Sequence, residues 1–465
     1  MKYFLPAVSL LIILLGVACR KSSFITSADA LLRTSADTIH FDTVFTSTGS
    51  VTQSLKVFNP NAQKLRLSGI KLAGGAASMF RINVDGSPGV NFSDIELEAN
   101  DSLYVFVSVT ITPGAGNLPF VIRDSIQLSF NGNDRLIQLE AYGRNARFIR
   151  NGRISVNTTF NNNLPYVILG GLTIDNNVAL NISRGTSIYC HANAPIIVNG
   201  TMNVNGTLNE KVVFTGDRLD AEYRDLPGSW PGIFFNGTSK DNTLSHAVIK
   251  NAYQGVITQL PAPNGQVKLT LNECTIDNIF DAGIISVNSS ISARNCLITN
   301  CGNNIGIGSG GVYDFKHCTV ATYGNYLVSH NSPVLFITNA NSQSQTNALS
   351  AVFSNCVFYG EGGIVDEEIV VKKEATTRPF AITFQNVLYK ALKNEAANVP
   401  GVVFSGSQVN SAPRFDSIDI AKRFYNFRPA DNSPLIDAGV ATATTLLDLD
   451  GKQRGTKPDI GCYEK

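Results

Sequence analysis

Four near-identical octets punctuate the second half of the chain: LNECTIDN from Leu271, ARNCLITN from Ala293, FKHCTVAT from Phe315 and FSNCVFYG from Phe353. Cys274, Cys296 and Cys318 are 22 residues apart each time. That interval is too long for a helical turn or a strand pair. It fits one coil of a solenoid, in which each coil leans on its neighbours for a core. Two columns keep phase through the repeats. One is Ala247, Cys274, Cys296, Cys318, Cys356 and Val387; the other, two residues on, is Ile249, Ile276, Ile298, Val320, Phe358 and Tyr389. Residues two apart share one face of a strand. Both columns are therefore expected to stack inside a shaft of parallel strands, whose interior is uniformly apolar.

The first column advances by 27, 22, 22, 38 and 31 residues. The surplus over 22 predicts loops that leave the coil at 259–266, 339–348 and 363–379. The last contains DEEIVVKKEATTR and is expected as a hairpin or short helix on the flank. Upstream, VALNISRGTSIYCHANAPIIVNGTMNVNGTLNEKVVFTG alternates apolar residues with Gly and Asn. Those two tolerate the left-handed turns that bend a strand around a narrow coil.

From Thr38 to Arg147 the pattern changes to alternating strands, at 50–58, 64–72, 92–97, 102–110, 124–130 and 135–142. NPNAQ, VDGSPG and NGND supply the turns between them. So many short strands in so short a stretch imply a small β-sandwich. It resembles the immunoglobulin-like domains found beside longer modules on bacterial surface proteins.

The chain opens with MKYFLPAVSLLIILLGVAC, a basic start and an apolar run too short to span a bilayer. Leu15, Gly16, Val17, Ala18 and Cys19 resemble the lipobox of bacterial lipoproteins, although Val17 departs from the small residue preferred there. The resemblance implies cleavage before Cys19, acylation of its thiol, and anchoring in a lipid bilayer by several acyl chains. The expected address is the cell envelope, at the outer membrane, facing either the periplasm or the exterior. Lys+Arg and Asp+Glu number 37 and 36, and no basic stripe forms, which argues against nucleic acid as a partner. The seven cysteines beyond Cys19 are odd in number and sparse, so no disulfide scaffold is expected; the one bridge considered is Cys296–Cys301.

Near the C-terminus, Ser433, Pro434, Leu435, Ile436, Asp437, Ala438 and Gly439 are followed by Asp450, Gly451, Arg454, Asp459, Ile460, Gly461 and Glu464. These stretches resemble the C-terminal cap of right-handed parallel β-helix proteins of bacterial envelopes, in the pectate-lyase-like superfold. The expected fold is all-β: an immunoglobulin-like β-sandwich, then a right-handed parallel β-helix with a C-terminal cap. The expected parts are a signal peptide at 1–18, a tether at 19–37, the sandwich at 38–147, the β-helix at 148–430 and the cap at 431–465. Asp437, Asp450, Arg454 and Asp459 are expected to bond loop backbone at the open end of the coil and so block edge pairing.

Enzymes of the resembling fold cleave polysaccharides with clustered carboxylates, some with calcium and a basic residue that takes a proton. The acids considered are Glu273, Asp277, Asp281 and Asp314; the bases are Lys250, Arg294 and Lys316. No column presents two acids on neighbouring rungs, and only a loop would bring acids together. The residue before each inward position runs His246, Glu273, Asn295, His317, Asn355 and Asn386. It reads as a polar ladder on a solvated face. Trp230 reads first as a packing residue and otherwise as a sugar-stacking platform, to which Tyr223, Tyr253, Tyr313, Tyr323 and Tyr326 would add. The ligand-binding candidates are thus Trp230, His246, Glu273 and His317. No catalytic residue, cofactor or metal is assigned; calcium would enter only with lyase chemistry. The expected function is a non-catalytic envelope lipoprotein whose rigid β-helix binds a polysaccharide or a surface protein. The alternative is a polysaccharide lyase or glycoside hydrolase.

Overall fold

The computed structural model describes residues 23–46, 49–113, 120–442 and 446–465. Cys19 and the apolar leader lie outside the described residues. The chain forms two compact units, Met1–Asn145 and Ala146–Lys465.

The first unit contains two sheets. One runs Arg33–Thr34, Gln53–Phe58, Ser102–Val109, Phe80–Val84, Ser87–Gly89; the other runs Thr38–Phe45, Asn133–Arg144, Phe120–Phe130, Leu65–Leu72, Asn91–Phe92. Period-two alternation sends one face of each strand inward. Leu65, Leu67, Val105, Val107, Ile126 and Leu128 are fully buried in one shared cluster. Phe120–Phe130 and Asn133–Arg144 are joined through Asn131 and Gly132 at φ 45° and 78°. Those angles are what a two-residue hairpin turn requires.

The second unit is built on a sheet of 24 strands, from Arg147–Ile154 to Gln408–Val409, hydrogen-bonded in parallel from one coil to the next, and adds an antiparallel pair, Phe415–Asp419 with Phe424–Pro429. The second apolar column is in direct register: Ile249 faces Ile276, then Ile298, Val320, Phe358 and Tyr389 follow in turn. Ala247, Cys274, Cys296, Cys318, Cys356 and Val387 are fully buried beside it. Phenylalanines stack along the same shaft. Phe353, Phe384 and Phe404 have ring centroids 5.0 and 4.5 Å apart and planes within 11°. Such pairs add about 0.5–1.5 kcal/mol each beyond their buried area.

Three sequence expectations need correction. First, the ladder beginning at His246 is not a solvated face. All six of its residues are left-handed, from φ 47° at His246 to 55° at Asn355, because each sits where the chain turns a corner between strands. Asn and His are enriched in that conformation. Asn295, His317 and Asn355 are buried, since the C-terminal segment lies over them. Second, that segment does not close the open end of the coil. Leu435, Leu449, Ile460 and Cys462 cover Leu297, Ala321, Val357 and Leu388 along the flank of successive coils. Third, the charged insertion contains a regular rung: Ile369–Lys372 pairs in parallel with Leu335–Thr338, and Ile369 and Val371 face the core. Its flanking charges hid a short apolar alternation. Cys296 and Cys301, the one bridge considered from the sequence, are free thiols, both buried.

Candidate functional site

One corner of the β-helix gathers polar side chains from consecutive coils. Lys250 pairs in register with Asp277, and Asp277 with Thr299. Immediately after them come Asn251, Asn278 and Asn300, left-handed at φ 62°, 57° and 51°. This second asparagine column turns the chain at the opposite end of the cysteine-bearing strands. Nothing in the sequence reading singled it out, although the recurrence of Asn four residues after Ala247, Cys274 and Cys296 was there to be found.

Two excursions complete the site. The segment at 217–229 leaves the coil after strand Val212–Gly216 and brings in Asp225. The hairpin of Phe415–Asp419 and Phe424–Pro429 carries Lys422 and Arg423 in its turn. Together with Asn325 and Tyr425, these side chains line a cleft of about 240 Å³.

The asparagines are held rigidly. Asn278 Nδ2 donates to Asn251 Oδ1 at 2.8 Å and to the Asp225 carbonyl at 2.9 Å. Asn251 Nδ2 donates to the Arg224 carbonyl at 2.7 Å. Asp277 Oδ1 accepts from Thr299 Oγ1 at 2.8 Å and from Asn300 Nδ2 at 3.0 Å. Burial pushes the Asp277 carboxyl above its ordinary range, and those two hydrogen bonds and Lys250 oppose the shift. Lys250 Nζ lies 3.8 Å from Asp225 Oδ1. Arg423 donates to the Asp225 carbonyl at 3.3 Å and sits over the Tyr326 ring at 5.6 Å.

Next along the chain from Asn251 and Asn278 are Tyr253 and Phe280, stacked at 5.4 Å with planes 25° apart. They are 48% and 52% exposed, and Tyr326 is 78% exposed. The stack leaves an aromatic face open to water, two residues on from the fixed amides of the cleft.

The structure brings Lys250 and Asp277 together, and a loop supplies the second acid, Asp225. Other candidates lie elsewhere. Trp230 is fully buried and donates from Nε1 to the Lys250 carbonyl at 2.9 Å, so it supports the corner from beneath and offers no stacking surface. His246 is half-buried, and burial followed by the charge of Lys211 holds its imidazole below the ordinary range. Glu273 is shifted up by burial, with Arg294 at 3.7 Å opposing. His317 is fully buried; burial, then the nearby Arg454 charge, lowers it to about 3. Tyr313 and Tyr323 are core residues, whereas Tyr223, Tyr253 and Tyr326 are exposed.

The C-terminal residues bond among themselves and to the corner ladder. Asp450 holds Arg428 through two bonds of 2.6 and 2.8 Å. Asp459 Oδ1 accepts the Asp437 backbone N–H at 2.8 Å. Arg454 donates to Asn295 and Glu464. Calcium takes six to eight oxygen ligands. Among the described residues no three His, Cys, Asp or Glu side chains converge on such a point. The cleft carboxylates instead stand among Lys250, Lys422 and Arg423. The residues do not fit a calcium site.

A model of the pectate-lyase-like β-helix domain matches residues 152–262. No curated protein matches the sequence. Among solved structures, the chain is similar to a family 123 glycoside hydrolase from Clostridium perfringens, described for glycolipid glycan hydrolysis. That similarity has 10% identity and a TM-score of 0.18, and covers 24% of this chain and 25% of that one. The ASH/PapD-like domain of human CEP192 is similar at 13% identity and a TM-score of 0.17, over 27% of this chain and 92% of the other. The chain thus spans about a quarter of the hydrolase. The corner cleft and the match to a β-helix domain are what bear on function.

Proposed function

We propose that the β-helix is a carbohydrate-binding surface and that the corner cleft is its saccharide site. The observation that carries this is the exposed Tyr253–Phe280 stack, two residues on from Asn251 and Asn278 of the cleft lining. A sugar ring has an apolar C–H face and a polar rim. Aromatic rings cover the face, and fixed amides, carboxylates and a guanidinium pair with the hydroxyls. Few polar groups in fixed orientation, beside apolar contact surface, are what orient a ligand. In this reading the protein is an envelope lipoprotein held by acylated Cys19. Residues 38–147 are an immunoglobulin-like spacer, the coils are right-handed, and residues 431–465 are a lateral cap. A glycan array probed with the soluble chain from residue 23 tests the site, with saturable binding to at least one saccharide class expected and none contradicting it. Mass spectrometry of the membrane-extracted protein tests the anchor: an unmodified Cys19 would exclude it.

A second reading has one observation in its favour. Asp277, shifted up by burial, faces the same cleft as Asp225. That is the environment of a general acid beside a charged partner, as a glycoside hydrolase would need. Product release from a bound glycan, abolished in Asp277→Asn with binding retained, would establish it.

A further inference from the structure

A second groove lies on the same corner, nearer the first coils. Its column is set by register. Arg150 pairs with Leu169. Ile168 pairs with Cys190 and Cys190 with Gly216, which aligns Leu169, His191 and Asp217 on successive coils. Adjacent strands are about 4.8 Å apart, so Arg150 and His191 stand about 10 Å apart at the backbone, across Leu169. A groove of about 320 Å³ lies between them, lined by Arg150, Asn151, Leu169, Gly170, His191 and Asn193.

Its chemistry differs from that of the first cleft, because no carboxylate lines it. Arg150 is exposed and has no ion-pair partner among the described residues. His191 Nδ1 is held by Asp217 Oδ2 at 2.7 Å. The His191 side chain is 49% exposed and that of Asp217 15%, so the carboxylate stands behind the ring and fixes it with Nε2 toward solvent. Asn193 Oδ1 accepts the Gly170 N–H at 3.2 Å, which leaves its NH₂ group as the available donor. Gly170 has φ 76°, and a Cβ there would meet Asn151 Oδ1 at 2.1 Å; only glycine keeps this floor low.

We propose that this groove binds an oxyanion carried by a larger molecule, either a carboxylate or a sulfate ester on a saccharide. Arg150 supplies a planar two-donor fork, Asn151 and Asn193 supply amide donors, and the His191 imidazole, held by Asp217, faces Arg150 across Leu169. Arginine forks pair bidentately with such groups. The site stands independently of the saccharide reading of the first cleft, since it shares no residue with it.

The test is calorimetric titration of the chain with a uronic-acid trisaccharide, a sulfated neutral trisaccharide and the same neutral trisaccharide without sulfate. The expected result is saturable binding of one or both anionic probes and none of the neutral one at this site. Arg150→Gln and His191→Gln each weaken it by roughly tenfold or more, as loss of a hydrogen bond to a charged group does. Which anionic probe binds identifies the source of the oxyanion. A Tyr253→Ala/Phe280→Ala variant, which leaves the lining of the groove untouched, retains the binding. Anionic binding unchanged in both groove variants, or absent up to about 10 mM, overturns the proposal.

Discussion

Arg454 Nη2 donates to Asn295 Oδ1 at 2.9 Å, joining the end of the chain to a turn 159 residues earlier. The same guanidinium reaches Glu464 Oε2 at 3.0 Å and the Gly461 carbonyl at 3.0 Å, and its side chain is 3% exposed. Asn355 and Asn386 extend the same attachment by donating to the carbonyls of Val440 and Ala438. The ladder is therefore the seam along which the C-terminal segment is fastened to the coils. Arg454→Ala leaves Glu464 nearly buried without its cation. Breaking one side of such a pair costs about 3–5 kcal/mol. Denaturant titration of Arg454→Ala should show that loss, and Arg428→Ala, at a more exposed pair, should lose under about 1 kcal/mol.

His317 occupies one rung of that seam and accepts from Asn355 Nδ2 through Nε2 at 2.8 Å. Its pKa falls from 6.5 to about 3 on folding, so the unfolded chain takes up the proton first as pH drops. Its contribution is level above pH 6.5 and is lost progressively toward pH 3. Between pH 7 and 4 the loss amounts to about 2–4 kcal/mol. His317→Asn keeps the left-handed turn and removes the titration. Thermal unfolding across that range should fall less steeply with acidity in the variant than in the parent protein.

A second buried pair anchors the later coils. His330 Nε2 lies 2.9 Å from Glu368 Oε1, with both side chains no more than 1% exposed, and Glu368 Oε2 accepts the Val334 N–H at 3.3 Å. Glu368→Ala strands the imidazole and should cost about 3–5 kcal/mol. Glu368→Gln preserves the shape and the backbone bond and should cost less. Equal losses in the two variants would mean that the carboxylate itself, and not the side-chain volume or the backbone bond, is what matters.

Cys190, Cys274, Cys296, Cys301, Cys318, Cys356 and Cys462 are free and buried. Burial raises Cys190, Cys274, Cys301, Cys318 and Cys462 above the ordinary range, Cys462 to about 12, whereas at Cys296 burial is outweighed by hydrogen bonds with Cys274 and Cys318 that hold it below that range. Thiolate is the reactive form, but a reagent must also reach it. All seven side chains are buried, so a thiol reagent should leave them unmodified in the native protein and titrate all of them after denaturation.

The apolar columns were readable because parallel coils repeat identical contacts: the spacing of Cys274, Cys296 and Cys318 is itself the register. The strands of the first unit were readable by alternation, but 38–45 and 80–84 were not. Thr38–Phe45 joins its sheet in parallel with Asn133–Arg144, so no hairpin turn announces it. The corner ladder is legible as a polar column yet reads as solvated, because a period of two carries no sign of a left-handed corner or of the C-terminal residues that return to cover it. The cleft was half legible. Lys250 and Asp277 were noted as charges, but Asp225 and Arg423 reach the site from excursions whose return point no local pattern encodes.

Titration calorimetry with a saccharide that binds the intact chain tests the central claim most directly, by comparing the parent protein with Tyr253→Ala/Phe280→Ala. Both rings are exposed, so the variant should keep its unfolding midpoint. Loss of two stacking contacts is expected to weaken binding by roughly tenfold or more. An affinity unchanged in a folded variant would contradict the assignment of the corner cleft as the saccharide site.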